Sequence, residues 1–165
     1  MQKREGERPI TRPTTPHQQL NQNPPLEIYK MLYNLVFSLP CITESESLVS
    51  VPGARAAWIT DEAKNARREL MWGRVEFAHI HPPYDGSLHL VLQKEWEDEI
   101  LNKGWGEPHP VYKMKLIDMP VYMIYAPRNI DEVYIVFNIF LISYSYILGE
   151  RIWKPAELVN TNYFK

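Results

Sequence analysis

Cysteine is almost absent from this chain. Its 165 residues include one, Cys41, so no internal disulfide can form, a usage that suits a reducing compartment such as the cytoplasm. Cys41 follows Pro40 among Val36, Phe37 and Leu39, with no basic neighbour to lower its pKa, and reads as a quiet, partly buried thiol. Charge of one sign is lacking too: 18 Lys and Arg against 20 Asp and Glu leave a net charge of -2, with no long run of either sign. Such a balance has no basic footprint for nucleic acid. The polar start of the chain has no apolar leader, so no signal peptide is expected. The longest apolar stretch, VYIVFNIFLISYSYIL at 133–148, is 16 residues long and contains Asn138, Ser143 and Ser145. A spanning helix needs about 20 apolar residues. The stretch is therefore expected to be a buried helix rather than a transmembrane span, with membrane association as the alternative. No internal repeat is present.

Proline is plentiful where the chain begins. Residues 1–25 hold five prolines (Pro9, Pro13, Pro16, Pro24 and Pro25) among Gln, Asn, Arg and Thr. This composition cannot bury a core alone, so an extended arm is expected, either disordered or laid over the domain. Apolar spacing at Ile28, Leu32, Leu35 and Val36 predicts a helix over 26–38 that Pro40 stops. The polar stretch 43–50 reads as a loop. GARAAWI at 53–59 fits a strand or a helix start, and DEAKNARREL at 61–70 reads as an exposed turn or two of helix capped by Thr60 or Asp61.

The middle of the chain alternates. In RVEFAHIH (74–81), Phe77, His79 and His81 fall on one face, and Glu76, Ala78 and Ile80 on the other. PPYDG (82–86) is a turn. In SLHLVLQ (87–93), Leu88, Leu90 and Leu92 share one face, with Ser87, His89 and Val91 opposite. The two stretches read as a β-hairpin. A helix over 94–102, a structured loop GWGEPHP at 104–110, a strand over 120–126 and a helix over 130–149 capped by Asn129 or Asp131 follow. Together these elements predict an α+β domain over 26–150. Its antiparallel sheet carries a central histidine-bearing hairpin flanked by helices, and 151–165 forms a C-terminal tail.

Four of the five histidines lie between His79 and His109. If the register follows the apolar pattern, Ala78 and Ile80 share the core face with the leucines. Parity then gathers His79, His81 and His89 on the opposite face. Each imidazole has two ring nitrogens needing partners, so three together point to a site, although single strand histidines are commonly structural. Asp85 precedes Gly86 and reads first as a turn former and second as a ligand contact. His109 arrives in a loop whose glycines permit close backbone approach. Trp105 between them lines a pocket or plugs the core, and Glu107 is expected to be solvated. Tyr125 ends a strand beside the candidate site. Arg128 could hold an anionic group, though a salt bridge is its commoner use. The order His79-x-His81, Asp85, His89 is similar to the metal-binding order of cupins, except that cupins use Glu as the acid and Pro82-Pro83 interrupts the strand here. Three nitrogens and a carboxylate would suit iron, zinc or manganese.

Three stretches carry a more specific likeness: FAHIHPPYDGSLHLVL (77–92), ILNKGWGEPHP (100–110) and MIYAPRNIDEV (123–133). With the apolar helix that follows, and weaker echoes in REGERPITRPTTPHQQ (4–19) and VFSLP (36–40), the chain resembles the fungal luciferases and the wider luciferase-domain proteins of fungi. The resemblance implies an oxidoreductase of monooxygenase type. Its substrates would be O2 and a hydroxylated pyrone (3-hydroxyhispidin in the family), and it would need no metal or organic cofactor. The product forms through a peroxide that loses CO2 with light. By position, His79, His81, His89 and His109 match family histidines and Arg128 matches a family arginine. A histidine base would take the enol proton, His79 or His81 with His89 as partner, while His109 and Arg128 hold the anionic oxygen. Asp85, Trp105 and Tyr125 complete the expected substrate-binding set. The chain departs from the family at Pro82-Pro83-Tyr84 and at Val111-Tyr112-Lys113, both beside the expected pocket. The resemblance thus carries oxygen chemistry further than light emission. Two other readings remain for the same residues: a metal-dependent enzyme and a non-catalytic small-molecule-binding domain.

Overall fold

A computed structural model describes residues 1–150. The tail expected at 151–165 lies outside the described residues. The elements are helices α1 (Leu26–Phe37), α2 (Glu97–Lys103), α3 (Pro110–Lys113) and α4 (Ile130–Ile147), with strands β1 (Ile42–Glu46), β2 (Arg55–Ile59), β3 (Glu76–Ile80), β4 (Leu88–Val91), β5 (Gly106–Pro108) and β6 (Val121–Ile124). The fold is α+β. All six strands pair antiparallel in the order β1-β2-β3-β4-β6-β5, so the β3–β4 hairpin sits at the centre of the sheet.

The hairpin pairs Ala78 with Leu90, His79 with His89 and Ile80 with Leu88. This is the register that burying the apolar residues demands. The core lies on the leucine face, covered by α1 and α4 through Leu32, Val36, Val136 and Phe140. Helix α4 is long and apolar enough to cross a membrane by length and composition. Its inner face packs on the sheet: Phe140 meets Phe77 with ring centroids 5.4 Å apart, and the Ser143 hydroxyl donates to the Val91 carbonyl at 2.6 Å. Asn129 caps it by accepting from the Glu132 amide at 2.9 Å.

Several sequence expectations are corrected. The stretch read as a loop over 43–50 begins as edge strand β1, whose polar side chains disguise it because an edge strand is half solvated. The helix expected over 61–70 shrinks to one 3-10 turn, Arg68–Leu70, with no side-chain cap. The structured loop contains β5 and leads into α3. Gly106 is needed there because a Cβ would lie 2.2 Å from the Met123 carbonyl oxygen. Strict alternation also fails at one point. Pairing of β2 with β3 shifts between Ala57 and Trp58, leaving Phe77 as the extra residue of a β-bulge. Phe77 therefore joins Ala78 in the core rather than the histidines, and Glu76 turns to the histidine face.

Residues 1–25 lie along the domain as an extended arm. The Arg4 amide donates to the Lys103 carbonyl at 2.8 Å, the Trp105 indole to the Gln2 carbonyl at 2.7 Å, and the Ala126 amide to Gln19 Oε1 at 2.9 Å. The arm is too polar to fold alone, so its structure comes from bonds to the sheet and to the loops beside it.

Candidate functional site

The sheet face opposite α4 carries the histidines. His79 on β3 and His89 on β4 are directly paired, with ring centroids 5.0 Å apart. His81 lies just past the end of β3, 4.7 Å from His89. His109 caps the start of α3, where its Nδ1 accepts from the Val111 amide, and its ring lies 4.7 Å from that of His89. The arm supplies a fifth imidazole. His17 stacks on His89 at 5.2 Å and meets His109 edge-on at 5.1 Å. All five rings form the floor of a cavity of about 670 Å³, whose walls include Trp72, Val51, Leu116 and Ile117. This is the size and character of a site for a small, largely apolar molecule.

Carboxylates stand behind three of the rings. Glu76 Oε1 accepts from His79 Nδ1 at 2.8 Å, and His79 Nε2 in turn meets His89 Nδ1 at 3.0 Å. Asp85 Oδ2 lies 2.6 Å from His81 Nδ1, while its other oxygen accepts from the Ser87 hydroxyl and amide. Glu107 Oε1 lies 2.7 Å from His17 Nε2 and also accepts from Thr11, and its second oxygen accepts from the Tyr125 hydroxyl.

Residues 74–143 match the Luciferase domain. The match runs from two residues before β3 through most of α4. The chain is 31% identical over 124 residues to a luciferase of Neonothopanus nambi, covering 74% of this chain and 41% of that one. It is 36% identical over 86 residues to a luciferase of Armillaria gallica, covering 51% of this chain and 31% of the relative. The chain is a luciferase-domain protein of the fungal luciferase-like family. It spans less than half the length of these curated relatives. No solved structure matches it significantly.

Within the luciferase domain, His79, His81, His89 and His109 come together, and Asp85 joins them through His81. The remaining expected residues lie elsewhere. Trp105 is fully buried and anchors the arm through its indole, so it plugs the core rather than lining the histidine cavity. Tyr125 lies beneath the arm, bonded to Glu107. Arg128 does not reach the cavity. Its guanidinium is held by Glu132 and the Glu5 carbonyl, so its expected role on an anionic oxygen is corrected to a structural one. Glu107, expected to be solvated, is instead half-buried as the anchor of His17.

The sequence reading missed His17 and Glu76. His17 is 62 positions before His79, beyond the reach of local spacing. Glu76 was hidden by the bulge. Its one signal was a carboxylate three residues before a histidine in a strand otherwise bound for the interior.

Electrostatics favour the neutral form of three of the rings, His79, His89 and His109. Burial drives the His89 pKa well below its ordinary value, and the four neighbouring histidines lower it further. Burial also lowers His79, against the opposing pull of its hydrogen bond to Glu76. His109 is pushed down to about 4, first by burial and then by His17, His79 and His81. Burial pushes Glu107 up, but its hydrogen bonds with His17, Thr11 and Tyr125 outweigh this and hold it below the usual carboxylate value. Desolvation disfavours the charged form of His79, His89 and His109, and the neighbouring imidazoles compound the effect.

The arm should come loose when its histidine is removed. His17→Ala leaves the half-buried Glu107 without one of its partners, a loss of about 1–3 kcal/mol in arm docking. Thermolysin cleavage of the Gln19–Leu20 bond in the arm is expected to accelerate by about tenfold or more, with the sheet intact by circular dichroism. Unchanged cleavage would show that His17 does not hold the arm.

Proposed function

We propose that this luciferase-domain protein is an oxygen-using oxidoreductase of monooxygenase type acting on a hydroxylated pyrone or related enol. The observation that carries the reading is the buried His81–Asp85 pair on the cavity floor. Asp85 accepts from His81 Nδ1 at 2.6 Å, which leaves Nε2 as the ring nitrogen without a proton. A neutral imidazole backed by a carboxylate is a general base whose imidazolium form is stabilised when it appears.

The reaction needs such a base. The enol gives its hydroxyl proton to His81 Nε2, and the electron pair freed on the enolate carbon forms a carbon–oxygen bond to O2. The carbon is oxidised and O2 is reduced to the peroxide level. The proton held on His81 passes to the outer oxygen, giving a hydroperoxide and restoring the base. Water competes for such intermediates, and Val51, Leu116, Ile117 and Trp72 around the cavity exclude it. The relatives named luciferase and the apolar cavity above a histidine floor support this reading.

The test is oxygen uptake by the full chain with a series of hydroxylated pyrones and simple cyclic enols. The expected result is one O2 consumed per enol, with O-methylated analogues inert because they have no proton for His81. Uptake indistinguishable from the enzyme-free rate for every enol would remove the proposal.

A further inference from the structure

Two ring nitrogens at the centre of the cluster, His17 Nδ1 and His89 Nε2, are buried without a hydrogen-bond partner among the described residues. The surrounding bonds decide where the protons are. Glu76 accepts from His79 Nδ1, so His79 Nε2 carries a lone pair and accepts from His89 Nδ1. His89 Nε2 is then unprotonated. Glu107 likewise accepts from His17 Nε2 and leaves Nδ1 unprotonated. Two bare lone pairs are thus directed by carboxylates behind them, one directly and one through His79. An unmatched buried acceptor is costly. A carboxylate behind the ring is also how metal-ligating imidazoles are held in one tautomer and orientation.

His109 completes the set. One ring nitrogen from each of His17, His89 and His109 lies within 4.8 Å of the others. Nitrogens bound tetrahedrally at about 2.1 Å stand about 3.4 Å apart, so ring movements of about an ångström close the trio. The competing bond at His109 is long: its Nδ1 accepts from the Val111 amide at 3.3 Å, which puts the ring proton on Nε2, and metal binding would displace that bond or that proton. His79, His81 and His89 also approach within 4.8 Å. In that trio, however, His79 Nε2 and His89 Nδ1 are already satisfied by each other.

We propose that His17, His89 and His109 hold one divalent first-row transition-metal ion, with a coordination position open to the cavity. Neutral imidazole donors suit zinc, iron or copper. The resemblance implies a cofactor-free reaction, but the donor set points the other way. The cavity also has a use for the charge. No lysine or arginine lines it among the described residues, and Arg128 is engaged elsewhere. An enolate formed there would have only the transient His81 imidazolium, itself paired with Asp85, as counter-charge, and a bound ion would supply a standing one. That use rests on the reading under Proposed function, whereas the binding itself does not.

The experiment is titration of the chelator-stripped full chain with Co2+ and Zn2+, followed by calorimetry and by the visible absorption of bound Co2+. One ion per chain is expected. His17→Ala and His89→Ala should each weaken binding by more than about 100-fold, and Glu107→Gln, which touches no metal, by about 10–100-fold. His81→Asn, outside the trio, should leave binding unchanged. Circular dichroism checks that each variant is folded, and stoichiometry in the unsubstituted chain decides the matter if one is not. A folded chain that takes up neither ion overturns the inference, as does binding indifferent to His17 and His89. Metal uptake without enol oxidation supports the site and removes the oxygenase reading, while oxygen uptake by a chain that binds no ion does the reverse.

Discussion

His81→Asn is expected to lower enol-dependent oxygen uptake by about 100- to 10,000-fold, the range a positioned general base supplies. Asparagine roughly fills the space of the inner half of the ring but cannot accept a proton near neutral pH. The loss should appear in kcat with KM little changed, because the apolar walls that bind the ring system are untouched. His81 is a cleaner probe than its partner. Asp85 also accepts from the Ser87 hydroxyl and amide and from the Gln19 amide, so Asp85→Asn disturbs both the turn and the arm. Steady-state oxygen electrode measurements on the folded variant are the check. Turnover within threefold of the parent would remove His81 as the base.

The second large effect concerns stability. Phe140→Ala is expected to cost about 3–5 kcal/mol, read as a lower urea midpoint with an unchanged slope. Phe140 is 0% exposed and packs against Phe77 with ring centroids 5.4 Å apart, and Phe77 in turn meets Tyr144 at 6.4 Å. It ties α4 to the bulged strand that presents Glu76 and His79. Removing the ring leaves a cavity in the rigid middle of the sheet, where backbone hydrogen bonds on both sides prevent collapse. Domains of this size have about 5–15 kcal/mol in total, so the variant should be close to unfolding at modest temperature. Tyr134→Ala on the same helix, at a position 53% exposed, is expected to change stability by less than about 0.5 kcal/mol. Equal effects from the two substitutions would mean that α4 is not packed as described.

The histidine hairpin shows what was legible in the residues alone. The leucines of LHLVL and the pair Ala78 and Ile80 allow one register that buries them together, and that register brings His79 to His89. Period-two patterning is local information, available in a dozen residues, so the sheet face could be read without a fold. The same holds for α1 and α4, whose apolar repeats are local, as is the Asn129 cap of α4.

The bulge, the fifth histidine and the anchors could not be read this way. Phe77 leaves the alternation because its ring fits between Phe140 and Tyr144, a reason that lies more than sixty positions downstream. Arg128 looked available for an anion until Glu132, one helical turn on, and the backbone of the arm at Glu5 occupied it. His17 stands in a stretch with no periodicity. Its place is set by Glu107, 90 residues away, and by the Asp85 carboxylate that receives the Gln19 amide. Residue pattern alone thus determined the central hairpin, its register and three converging imidazoles, because alternation along a strand needs only neighbours. The tertiary structure decided which imidazoles are bare, which carboxylate stands behind each, and that the arm completes the floor. Those outcomes depend on long-range contacts, for which a linear pattern has no signal.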